Sequence, residues 1–197
     1  ERSGEQISGS LDQLQLDSAS AMGAQAEQIT FNKLSGNSDS SFSNAGLAIE
    51  DINMQNASND IGSLETLNVG SINARKEGSN IDASLSGMEM LNSSLTGIGS
   101  TESLIAKDLS LHSDGTSHQA NIDSMSAKAL RDENFGTKIE EVNLNEVDVS
   151  GTGLQDFSGS LQSGEIKKGS VQKAHLEHGT ISNGQFAIQN GQADASL

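Results

Sequence analysis

A five-residue beat runs through this chain. From Gly159 to Phe186 a small residue, any residue and a large aliphatic or aromatic residue recur six times without a slip: Gly159/Leu161, Gly164/Ile166, Gly169/Val171, Ala174/Leu176, Gly179/Ile181 and Gly184/Phe186. A period of five fits neither the 3.6 of an α-helix nor the 2 of a plain strand. It suits short extended steps separated by corners, as in a coil of a β-solenoid.

Upstream the same beat returns as apolar residues spaced three, two, three, two. It is complete in Leu11, Leu14, Leu16, Ala19, Ala21, in Leu64, Leu67, Val69, Ile72, Ala74 and in Ile139, Val142, Leu144, Val147, Val149. Each apolar-x-apolar triplet reads as a piece of strand with alternate side chains on one face, and the two residues after it turn the chain. About twenty residues per coil gives roughly ten coils and a rod on the order of 45 Å long. The stretches Ser35–Ser43, Arg75–Asn80 and His112–Gln119 carry turn and loop chemistry. Arg131–Thr137 reads as a loop leaving the rod. Thr101–Leu111 and Ser124–Glu133 have helix-forming residues, but the beat passes through both and makes strand the expectation there.

Composition narrows the choice. The 197 residues are 33% hydrophobic, with no Trp, Tyr, Pro or Cys and only five Phe, too little bulk for a thick globular core. Abundant polar residues and a net charge of −16 also suit a disordered chain, but regular apolar spacing weighs toward order. Without cysteine there is no disulfide frame, thiolate metal site or Cys nucleophile. No apolar run is long enough to span a bilayer as a helix. The acidic balance disfavours nucleic acid and anionic membranes as partners and favours a basic protein. The beginning at Glu1 and the lack of evident caps read as one repeat domain, residues 1–197, belonging to something larger.

The pairs between Gly159 and Phe186 resemble the pentapeptide-repeat family, whose repeats place a small residue two positions before a central Leu or Phe. Gly dominates the small position here, and Ser160, Glu165, Ser170, His175, Thr180 and Gln185 follow it where that family favours Asp or Asn. The resemblance implies a right-handed β-solenoid used for binding or spacing, with Leu161, Ile166, Val171, Leu176, Ile181 and Phe186 as inward residues and Gly164, Gly169, Ala174, Gly179 and Gly184 as the small positions. Some members of that family are acidic rods that imitate duplex DNA. A second resemblance is to the β-rich repeats of large bacterial envelope proteins, some with lipid-carrying grooves.

Candidate chemical sites are sparse. His175, Glu177 and His178, beside Lys173, would face outward around one corner and are the only metal-ligand candidates; solvated surface residues are the reading preferred. Glu140, Glu141, Glu146 and Asp148 alternate with apolar residues as a strand with one wet face requires. Met88 and Met90 fall on the inward beat as core filling. No phosphate loop, nucleophile elbow or calcium nonapeptide is present.

The expectation is an all-β, elongated, irregular β-solenoid that performs no chemistry and needs no cofactor. It would serve as a structural or interaction segment of a secreted, periplasmic or surface bacterial protein, such as an adhesin, toxin or effector, binding a protein partner along its length and able to associate end to end. Two alternatives are an acidic decoy for a nucleic-acid-binding protein and a polysaccharide-active or lipid-carrying β-repeat protein.

Overall fold

In the computed structural model the described residues are 6–21, 23–132, 134, 136–152, 156–171, 174–189 and 192–196. They form eleven strands and no helix: β1 (Gln6–Ala21), β2 (Ala24–Asp39), β3 (Asn44–Ser58), β4 (Gly62–Glu77), β5 (Asn80–Leu95), β6 (Gly99–Ser113), β7 (Ser117–Asp132), β8 (Thr137–Thr152), β9 (Asp156–Val171), β10 (Ala174–Gln189) and β11 (Gln192–Ser196). All lie in one sheet in chain order, each antiparallel to the next. The all-β expectation holds, including strand rather than helix over β6 and β7. One strand and its turn occupy 18 to 20 residues, the length expected of a coil, but the chain reverses direction between one and the next.

The reversals are tighter than turn propensity suggests. Ser35–Asp39 and Arg75–Glu77 remain strand because their partners hold them in register. The turns themselves use side-chain acceptors. Asp39 accepts from the backbone N–H groups of Ser41, Ser43 and Asn44. Asn59 accepts from those of Ile61 and Gly62, and Asp114 from those of Thr116 and Ser117.

The five-residue beat has a backbone cause. A strand alternates faces every residue, so a strict two-residue pattern results unless something resets it. In β1, β3 and β5 single residues in the left-handed region reset it. They fall five apart within a strand: Gln13 and Ser18 (φ 54° and 57°), Asp51 and Asn56 (51° and 49°), Gly87 and Asn92 (63° and 46°). Leu14-x-Leu16 and Ala19-x-Ala21 therefore share a face across Ser18, and the rungs expected to be three residues long join into strands of 15 or 16.

These corners align across the sheet. Where Ser18, Asn56, Asn92, Ala129 and Lys168 take the left-handed conformation, the register sets Glu27, Glu65, Glu102, Glu140 and Glu177 of the even-numbered strands beside them. Those glutamates recur every 37 or 38 residues, one hairpin apart. Cross-strand bonds tie the row: Asn56 donates to Glu27, Asn92 to Glu65, and Lys168 pairs with Glu140 at 3.1 Å.

Among the described residues no second layer covers the sheet. Ala26, Val69, Ala106 and Ala127 are the only buried apolar residues among those described. The accessible surface is 12919 Å². A compact monomer of this mass exposes about 8,900 Å².

The corners generate a stability prediction. Asn92→Val places a β-branched residue where a left-handed conformation costs about 1–2 kcal/mol and removes the bond to Glu65. The urea unfolding midpoint should fall for Asn92→Val and stay close to the parent for Asn92→Gly, which tolerates φ > 0.

Candidate functional site

The two faces of the sheet differ in kind. Five ladders, passing through Gly9, Leu11, Leu14, Leu16 and Ala19 of β1, run across to β10 on one face. None of their described positions holds Asp, Glu, Lys, Arg or His. In mid-sheet Val69 opposes Met88, Met88 opposes Ala106 and Ala106 opposes Met125. The neighbouring ladder runs Met54, Leu67, Met90, Leu104, Ala127 and Val142. Ala106 and Ala127 are 2% exposed because longer neighbours overhang them. Most of the longer side chains are half-buried, and Leu11, Leu16, Leu47 and Leu111 remain 45%, 44%, 43% and 39% exposed. From strand spacing and rise, this face covers roughly 45 Å by 35 Å, on the order of 1,500 Å². Exposed apolar patches on monomers reach only a few hundred Å².

The C-terminal positions of the sequence pattern join this face. Leu161 opposes Val147 and Gly184, Ile166 opposes Val142 and Gly179, and Ile181 opposes Gly164. Gly164 and Gly184 are buried, and Gly169 and Gly179 half-buried. Phe186 lies over Gly159, where any Cβ would collide with its ring. Leu176, opposite Gly169, is 42% exposed, and Ala174 is exposed opposite Val171.

The opposite face is wet and charged. Its two central ladders form a hydrogen-bonded band: Gln28 donates to Asp17, Asn53 to Asn68, and Asn68 to Glu89. At its far side Lys167 bridges Glu141 at 3.1 Å and Glu165 at 3.4 Å. Asn143 and Lys167 hold the Glu141 carboxyl below its ordinary range, and His178 and Lys167 do the same for Glu165. Both carboxylates in turn raise Lys167. Toward one end of the strands this face is concave, forming a trough of about 2270 Å³ floored by small polar residues such as Ser10, Ser84, Ser110 and Asn121. Asp82 and Asp148 enter it already engaged, with His112 at 2.6 Å and Asn121 at 2.8 Å.

His175, Glu177 and His178 lie on exposed positions of β10. His178 is occupied by Glu165 at 2.9 Å. Lys173 falls outside the described residues. Among the described residues no group of three or more His, Asp or Glu is close enough to hold a metal ion. The acidic group of β8 is divided among separate roles. Glu140 pairs with Lys168, Glu141 with Lys167, Asp148 accepts from Asn121, and Glu146 is a left-handed corner (φ 50°). The corner rows escaped sequence reading, although the 37- or 38-residue recurrence of glutamate was their signal. Among the described residues no helix is long and apolar enough to cross a membrane. Compared with known proteins, the chain matches no family model, no curated protein and no solved structure.

Titration checks both the Lys167 network and the turn acceptor Asp114. Replacing Lys167 by Met should move the Glu141 and Glu165 carboxyls up toward ordinary values, as read by carboxyl NMR. Asp114, held at about 2 by the Ser117 and Thr116 donors, has a folded value below its unfolded one. Its contribution to stability is therefore complete above the ordinary carboxylate range and is lost as pH falls toward 2. The unfolding midpoint of Asp114→Ala should vary less than the parent's between pH 4.5 and pH 2.

Proposed function

We propose that this chain is a non-enzymatic structural and interaction segment, a solenoid-like β-repeat of a secreted or surface-exposed bacterial protein, to which a protein partner binds along its length. The observation that carries this reading is the uncharged apolar face, continuous over ten strands and uncovered. A surface of that size is stable in water only when something lies against it. A repeat sheet presents it as one long platform rather than as a pocket.

The alternatives receive less support. An acidic decoy needs carboxylates free to meet a basic partner, yet Glu27, Glu65 and Glu140 are tied to Asn56, Asn92 and Lys168. A polysaccharide-active site needs a free carboxylate pair or aromatic platforms in its groove. The trough instead holds Asp82 and Asp148 bonded to other residues, and the chain has neither Trp nor Tyr. A lipid carrier needs an apolar trough, whereas the concavity here lies on the polar face.

Methionine oxidation tests the reading, because Met54, Met88, Met90 and Met125 all stand on the apolar face. In the protein isolated in its native assembly, dilute peroxide should oxidise these four at least about tenfold more slowly than in urea, as expected for covered thioethers. Oxidation at the unfolded rate would mean that nothing binds this face and would sink the proposal.

A further inference from the structure

We infer that the occupant of the apolar face is a second copy of this chain, packed face to face as a two-sheet sandwich. The inference rests on the reading that a protein covers this face, and it names that protein.

Area is the first argument. Two faces of on the order of 1,500 Å² each would bury about 3,000 Å² together, within the range of obligate homodimers and well above the usual 1,600 Å² of separable complexes. Each copy thus supplies what the other lacks, and a two-fold axis through mid-sheet satisfies both at once.

Charge is the second. The chain carries a net −16, yet the five apolar ladders hold no charged residue. A basic partner would be drawn to the opposite face, where the carboxylates stand. Face-to-face pairing removes only uncharged surface from water and leaves both acidic faces outward.

Side-chain composition is the third. Sheets pack about 10 Å apart with interdigitating side chains. In mid-sheet Met88, Met90, Leu104 and Met125 stand around the small, covered Ala106 and Ala127 and give the face an uneven relief. Methionine adapts to irregular gaps, so these flexible side chains of two copies can interdigitate near the axis.

Light scattering on the purified chain at micromolar concentration tests this. The expected mass is twice the chain's 20.5 kDa. Leu104→Glu should weaken the dimer at least about tenfold with its β circular dichroism spectrum kept, by burying an unpaired charge. Ile105→Glu, one residue on and 41% exposed on the other face, should leave the dimer intact. Should Leu104→Glu fail to fold, single cysteines decide, since the chain has none of its own. Met90→Cys should cross-link two copies through a short bis-maleimide and Ile105→Cys should not.

Four outcomes overturn the inference: a monomer, equal effects of the two Glu substitutions, equal cross-linking at the two cysteines, or a ladder of larger species, which would mean edge-to-edge pairing. A monomer with the four methionines still protected in the native assembly overturns the second copy alone and leaves another protein partner. A monomer that carries acyl lipid by mass spectrometry, its methionines protected by that lipid, overturns both readings.

Discussion

The main-chain ladder between antiparallel strands is what every other feature of this sheet depends on. With only a few small apolar residues buried, side-chain packing cannot by itself fix the fold. Each strand of 15 or 16 residues is paired along nearly its whole length with its neighbours in sequence. The absence of proline follows, since proline would remove a donor from a ladder that has little else behind it. Polar side chains then add a second ladder on the wet face, in which Asn pairs with Asn and Ser with Ser across strands.

The left-handed corners are the second constraint, because they decide which side chains share a face. A strand of this length with strict alternation would place half of each apolar block in water. Two resets in β1 keep Leu11, Leu14, Leu16 and Ala19 on one side. Asn and Asp tolerate that conformation better than most residues, and Gly takes it freely, which accounts for Asp51, Asn56, Gly87 and Asn92. Ala129, Glu146 and Lys168 take the same conformation without that intrinsic preference.

Much of the local geometry could be read from residues alone. The beat of five identified extended steps, corners and the shared face of Ile166, Gly179 and Ile181. It could not tell an antiparallel reversal from a continuing coil, because both place an apolar pair inward every five residues. The distinguishing signal is longer: glutamate at 27, 65, 102, 140 and 177 marks alternate strands and so a two-strand unit. The openness of the sheet was equally hidden, since apolar spacing reports which face a residue joins and says nothing of what lies opposite. The polar network around Lys167 depends on cross-strand register, which no single segment encodes.

Because each strand touches only those before and after it, the molecule is modular in one dimension. Duplication or loss of a whole hairpin would leave left-handed residues facing extended glutamates in the same alternation. Loss of β4 alone would make β5 antiparallel to β3, setting Asn56 against the first residues of β5, near Ala83, instead of Glu65, and would take from Asn92 the Glu65 carboxylate that accepts its amide. Length in such a chain can therefore change only in even steps, so relatives built on this plan would differ by pairs of strands.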